Sequence, residues 1–362
     1  MDLDERIENL IEEGIPVYSI SRLDTINNCM YEAYRTYRLE DKGEDNIYGI
    51  MGGKIHDTLE KIINNEADPE DLFRAMNNEL DDVDMFNITF PNGQIKNNWV
   101  ADMTHFCKTY KKPSGNFITE ERFLYQTDEG KYIQGFIDLI EKTEKENEIN
   151  IIDYKTSSMY SKQGFKEHGR QLVIYAMGKE QQGFNVKSVA WNFLKYATIE
   201  FSGYKTNKSK EKTVIVKNIE RRKIPDELCK YIERDLVNNG YDEIMIENYL
   251  TKFKRSNSFD DLPEEVANNY EIKPCIVEYE ITDEIKEECK EYIKITIEKW
   301  ENAVAYPSRE FTRTNKNGRV VDDTFYCTSL CAHSKKCEYI QNYLYEKDTN
   351  KQKDDESDDL FA

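Results

Sequence analysis

The sequence predicts an α+β fold in which a central mixed sheet is flanked by helices. Three observations carry this. Residues 21 to 112 repeat apolar side chains mainly at helical spacing, the period turns extended from Phe117 through three short segments in a row, and one further helix and strand follow.

Residues 21 to 40 place apolar and aromatic residues at helical spacing behind Ser21, predicting one helix that carries Cys29. The stretch Ile50 to Ile63 contains Gly52 and Gly53 and repeats apolar residues at Ile55, Leu59, Ile62 and Ile63. That sets His56 one position off the stripe, near the helix start. Residues 65 to 112 read as further helices with a loop at Pro91-Asn92-Gly93. Segments 117 to 126, 132 to 140 and 149 to 155 are rich in Ile, Phe and Tyr and separated by polar links, so they read as consecutive strands. A helix from about Lys166 to Lys179 then returns across the sheet to a strand at Lys187 to Tyr196. Further on, the pattern gives a basic hairpin at 201 to 217, helices near 225 to 250 and a long amphipathic helix near 282 to 304. From Asp348 the chain is polar and acidic until Leu360 and Phe361, which predicts disorder. There is no internal repeat.

A chain of 362 residues with 38% hydrophobic content can supply its own core. Its first residues are charged, and no stretch approaches the roughly 18 apolar residues of a membrane span, so the expectation is a soluble cytoplasmic protein with no membrane partner. Of its eight cysteines, Cys29, Cys107, Cys229, Cys275 and Cys289 are scattered, whereas Cys327, Cys331 and Cys337 fall within eleven positions. Reduced thiols so clustered call for a metal or a core. The net charge of -20 opposes polyanion binding, but the charge is segregated: Lys205 to Lys223 holds eight basic residues against two acidic ones. This segment reads either as a solvated hairpin or as one nucleic-acid-facing surface, beside which Tyr196 and Tyr204 are candidates for base stacking.

Two carboxylates interrupt apolar strands, Asp138 in Gly135-Phe136-Ile137-Asp138 and Asp153 in Ile151-Ile152-Asp153-Tyr154-Lys155-Thr156. The strand period of two puts Asp153 and Lys155 on one face. A carboxylate and an amine side by side at a strand end suit a hard divalent cation and a base or charge stabiliser, although an isolated Asp-x-Lys is ordinarily a structural ion pair. Gly52-x-x-x-His56 precedes them and Gln171-x-x-x-Tyr175 follows on one helical face. Glu120 and Glu121 on the first strand read as solvent-facing charges, with an outer-shell carboxylate as the other reading.

These four motifs, in this order, resemble those of the RecB/AddB-like group of PD-(D/E)XK nucleases, which includes CRISPR-associated exonucleases. The resemblance covers residues 20 to 200 and 325 to 340. It implies a restriction-endonuclease-like core, with His56, Asp138, Asp153 and the backbone carbonyl of Tyr154 holding Mg²⁺ or Mn²⁺ and Lys155 orienting or deprotonating the attacking water. Gln171 and Tyr175 would hold DNA or order the site. Asp153 stands where many members have Glu, and Ile137 stands where the family name has Pro.

A subset of that group carries one cysteine before the Gly-x-x-x-His motif and three after the core, together binding a 4Fe-4S cluster. The resemblance implies Cys29, Cys327, Cys331 and Cys337 as ligands stapling the two ends of the chain, although Cys327 and Cys331 are separated by three residues rather than the more familiar two. Structural Zn²⁺, with His333 replacing Cys29, is the alternative.

The domain reading that follows is a helical segment at 1-49, a nuclease core at 50-200 with a helical insertion at 65-112, a basic hairpin and helical accessory region at 201-305, a cysteine segment at 306-345 and an acidic tail at 346-362. Gly53-Lys54 lacks the glycine spacing of a phosphate-binding loop, so there is no motor. The expectation is a DNA exonuclease acting on single strands or ends, with a helicase or other recombination or replication protein as partner, in a bacterial cell or phage-infected host. A catalytically silent DNA-end scaffold and an RNA nuclease are the rival readings.

Overall fold

The computed structural model describes residues 3–206 and 212–359. Helix α1 (Leu3–Glu12) leads through strand β1 (Val17–Ser19) into α2 (Ile20–Asn28) and α3 (Met30–Tyr37). Helices α4 (Ile47–Ile63), α5 (Asp71–Met85) and α6 (Gly93–Thr109) precede strands β2 (Asn116–Gln126), β3 (Tyr132–Lys142) and β4 (Glu148–Lys155). Helix α7 (Lys162–Gln181) returns the chain to β5 (Asn185–Thr206), followed by β6 (Lys212–Glu220), α8 (Ile224–Asn238), α9 (Glu243–Ser256), α10 (Glu264–Ala267), β7 (Tyr270–Glu278) and α11 (Asp283–Glu301). The small hairpin β8 (Thr312–Thr314) and β9 (Val320–Asp322), a π-helical turn at Tyr326–Leu330 and α12 (Glu338–Asp359) end the described chain.

The architecture is the expected mixed sheet flanked by helices. β3 pairs antiparallel with β2 and β4 and parallel with β1, and β4 pairs parallel with β5. β5 continues past β4 to pair with β6, while β7 runs antiparallel along its other edge. One face packs on α2, α7 and α11 through residues such as Ile151, Leu172, Trp191 and Trp300; the other packs on α4, α5 and α6 through Leu139, Tyr154, Ile55 and Met103. A third apolar cluster joins α8 and α9 to the far half of β5. Because a strand alternates its side chains, Ile151 and Asp153 serve the α7 face and Ile152 and Tyr154 the α4 face.

Three features depart from expectation. The helix expected at 21 to 40 is broken at Cys29, whose backbone is extended (φ -153, ψ 107) and caps α3. Two residues on, in the first turn of α3, Tyr31 N donates at 3.1 Å to Pro307 O of the C-terminal segment. β7 was not foreseen, since its charged residues and Pro274 mask the alternation; Pro274 sits beside the irregular stretch of the β5 ladder, where a missing amide costs least. The backbone from 346 to 359, expected to be disordered, runs on as α12, with no Gly or Pro after Glu338 to stop it. Leu360 and Phe361 lie outside the described residues.

The two ends of the chain meet through the protein's own hydrogen bonds. Tyr326 Oη donates to Glu32 Oε2 at 2.7 Å, Asn46 Nδ2 to Leu330 O at 3.1 Å and Glu44 N to Ala332 O at 2.8 Å.

Candidate active site

Four elements converge where β3 and β4 stop pairing. Their ladder reaches Leu139↔Ile152 and goes no further, so the Tyr154 amide donates instead to the Asp138 carboxylate, at 2.7 Å from Oδ2. Asp138 also marks a slip in β3. Ile133 and Ile137 face α7, but so does Ile140, while Leu139 faces α4.

α4 supplies His56. The helix is capped by Asn46 Oδ1, which accepts from Tyr48 N and Gly49 N at 3.0 Å each, and its stripe of Met51, Ile55, Leu59 and Ile62 is buried. His56 lies in mid-helix rather than near its start. Its Nδ1 is 3.6 Å from Asp138 Oδ2, and its ring meets Tyr154 edge-on at 5.9 Å. The close approach depends on Gly52, one turn earlier, where a Cβ would stand 3.2 Å from Thr156 Oγ1 at the end of β4.

Asp153 is almost wholly buried, and Lys155 Nζ lies 2.6 Å from its Oδ2. The ammonium and the carboxylate form a close buried ion pair. Lys155 Nζ also donates to Gln171 Oε1 at 2.9 Å, and Gln171 Nε2 donates to Tyr175 Oη at 2.7 Å. Tyr175 is buried edge-on to Phe123, so it can order Gln171 but has no surface to offer a DNA strand.

The electrostatics fit a cation. Burial, then the Asp153 charge, pushes the Asp138 carboxyl well above the usual carboxylate range, against the pull of the Tyr154 amide. Burial lowers the His56 imidazole, so it is neutral at pH 7, as a ligand must be. Burial opposes the Lys155 charge most strongly, but Asp153, Tyr160 and Asp138 together outweigh it and the amine is raised. A buried aspartate, a second carboxyl that its charge disfavours and a neutral imidazole are the oxygen and nitrogen donors that could hold Mg²⁺ or Mn²⁺. Among the described residues, no three His, Cys, Asp or Glu side chains, here or elsewhere, are disposed as a ready metal-binding group.

Glu120 stands near this group and is half-buried, which accords with its reading as an outer-shell carboxylate better than with that of a solvent-facing charge. It takes a left-handed backbone (φ 46) where the β2–β3 pairing skips from Thr119↔Leu139 to Glu121↔Ile137. Burial and the neighbouring Glu60, Asp57 and Asp153 raise its carboxyl. A non-glycine residue held at positive φ beside such a cluster is strain of the kind that gathers at functional sites. Nothing in the local sequence marks it. Glu121 turns elsewhere, accepting from the buried Lys179 Nζ at 3.0 Å.

Away from this cluster, Cys29, Cys327, Cys331 and Cys337 line one small cavity together with Glu32 and His333. The break between α2 and α3 brings Cys29 to the other three. Burial raises the thiols of Cys327, to about 11, and of Cys331. His333 Nε2 pairs with Thr36 Oγ1 at 2.9 Å, while its Nδ1 is buried without a hydrogen bond, 3.8 Å from Asp41 Oδ2.

The basic segment is less open than its sequence suggests. Arg221 is buried and donates to Leu194 O at 2.8 Å, Arg222 pairs with Asp102 and Glu220, Lys223 with Glu220, and Lys217 with Glu227. Lys208 and Lys210 lie outside the described residues, as do the side chains of Tyr204, Lys205 and Lys212. Tyr196 is half-buried against Phe193, so it is not a free stacking surface.

No helix among the described residues is long and apolar enough to cross a membrane. The family model that matches the chain is that of the PD-(D/E)XK nuclease superfamily, over residues 17–338. No curated protein matches the chain.

Proposed function

The chain belongs to the PD-(D/E)XK nuclease superfamily, and from that premise we propose that it is a metal-dependent DNA nuclease of the RecB-like branch, an exonuclease on single strands or DNA ends. The observation that carries the reading is the convergence of His56, Asp138, Asp153 and Lys155 where β3 and β4 separate.

In this reading His56, Asp138, Asp153 and the Tyr154 carbonyl hold Mg²⁺ or Mn²⁺. When bound, the ion supplies Lewis-acid polarisation of the scissile phosphate and eases deprotonation of the attacking water. Lys155, steadied by Gln171 and through it by Tyr175, orients that water and, held protonated beside Asp153, stabilises the negative charge that develops as it attacks. Gly52 keeps α4 close enough to β4 for His56 to serve. The catalytic unit is the segment 50-200, with 201-305 as accessory region. Since the chain has no phosphate-binding loop, a helicase is the partner class that would expose single strands to it.

The cavity shared by Cys29, Cys327, Cys331 and Cys337 supports a structural 4Fe-4S cluster in the segment 306-345, as in the iron-sulfur subset of that branch. Cys29 lines this cavity with the other three cysteines, and the Nε2 of His333 is already paired with Thr36 Oγ1, which favours four thiolates over a zinc site with one imidazole.

The test is digestion of end-labelled linear and circular single-stranded DNA by anaerobically purified protein, with Mn²⁺ and with EDTA. Metal-dependent loss of the linear strand with the circle intact is the expected result. Cutting of the circle would make it an endonuclease, and binding without cleavage of either would leave a silent DNA-end protein.

A further inference from the structure

A cleft of about 820 Å³ lies between α2, α7 and the β8–β9 segment. His168 on its wall is one helical turn before Gln171, the partner of Lys155. Its imidazole lies face-on over the ring of Tyr160, with centroids 3.9 Å apart and planes at 15°. Tyr160 is in turn fixed edge-on against Trp191 and Phe193, both at 5.3 Å. The rings therefore form a rigid pile rooted in the core, with His168 as its outermost member. His168 is solvent-exposed, and Tyr160 covers only one of its faces.

We propose that His168 is a stacking platform for one nucleobase of single-stranded DNA, flanking the phosphodiester bond that is cut. The inference rests on the nuclease reading and deepens it by naming a substrate subsite. An imidazole ring held flat by a second aromatic ring is already ordered, so a base stacking on it costs little further side-chain freedom. The cleft's other walls suit a base better than a run of phosphates. Asp24 and Glu167 line it opposite Arg309, and Arg170 is directed over the Tyr292 ring at 4.0 Å. A mixed lining of this kind repels a polyanion but offers donors and acceptors to the edge of a neutral base.

The test is fluorescence-anisotropy binding of a short labelled oligothymidylate to the full-length protein in EDTA, where nothing is cut, with a parallel set of oligonucleotides each carrying one abasic site. One abasic position should weaken wild-type binding about 5- to 150-fold. His168→Ala should weaken binding of the intact oligonucleotide by a similar factor and lose the penalty at that position, while His168→Trp should restore both. Wild-type binding by His168→Ala, or an abasic penalty that persists in it, would overturn the platform. Cleavage of the same oligonucleotide by wild type in Mn²⁺ checks the nuclease reading separately, so cleavage with either of those results overturns the platform alone. Neither binding nor cleavage by wild type would overturn both.

Discussion

The amide oxygen of Gln171 accepts a hydrogen bond from Lys155 Nζ at 2.9 Å. The amine thereby has two partners on different elements, Asp153 on its own strand and Gln171 on α7, and its position is fixed in two directions. Gln171→Leu keeps the helix but removes the second anchor. It should lower kcat about 100-fold, the scale of a small misplacement at a reacting centre, with little change in DNA affinity. Tyr175→Phe, which removes only the outer hydrogen bond, should do less. Single-turnover cleavage beside a binding curve separates the two effects; equal loss of affinity and rate would make Gln171 a DNA contact.

Glu120 is held at positive φ opposite Asp138, and burial with the charges of Glu60, Asp57 and Asp153 raises its carboxyl. Glu120→Gln should raise the Mn²⁺ concentration needed for half-maximal activity by about 10- to 100-fold, as loss of a supporting carboxylate does. Restored activity at high Mn²⁺ is the expected signature. An unchanged metal titration would assign the strain at Glu120 to the fold.

Cys29 and His333 distinguish the two readings of the cysteine cavity. Cys29→Ser should abolish the brown colour and the bound iron and sulfide of anaerobically purified protein, and should lower the melting temperature, while His333→Ala should keep the chromophore. Zinc in place of iron, with Cys29→Ser fully loaded and His333→Ala empty, would establish the other site.

Acid stability offers a check on the packing of α6. His105 is buried between Asn257 O, at 3.1 Å, and Arg221 Nη1, at 3.2 Å, and burial followed by the Arg221 charge pushes its pKa from 6.5 down to about 4. The folded protein keeps this imidazole neutral while the unfolded chain takes up a proton as pH falls below 6.5. Its contribution is thus complete above pH 6.5 and is lost as pH falls toward 4, to about 3 kcal/mol in all. Denaturant midpoints at pH 7 and pH 5 should differ for wild type, and the difference should shrink in His105→Gln. An undiminished difference would mean that other groups carry it.

The site was legible where chemistry follows from local periodicity. Asp153 and Lys155 are two apart on a strand, and Gln171 and Tyr175 four apart on a helix, so sequence alone fixes which faces they share. For Glu120 sequence offered both a solvent-facing and an outer-shell reading and could not choose between them, because its orientation depends on an interrupted pairing with a strand that follows in sequence. Nor was the inward use of Arg221 and Arg222, since a basic run looks the same whether it meets solvent or the buried groups around Leu194 and Asp102. The same holds for the fold. β2, β3 and β4 announce themselves by composition, whereas β7 is a strand because the exposed edge of β5 is there to receive it.

The central claim is that Asp153 and its neighbours form a metal-dependent phosphodiesterase site. Its most direct test is Mn²⁺-dependent cleavage of end-labelled single-stranded DNA by wild type and by Asp153→Asn, each checked for folding and DNA binding. A fall of at least about 100- to 1,000-fold in rate with binding preserved is the predicted result. Cleavage by Asp153→Asn at the wild-type rate would place the chemistry elsewhere and contradict it.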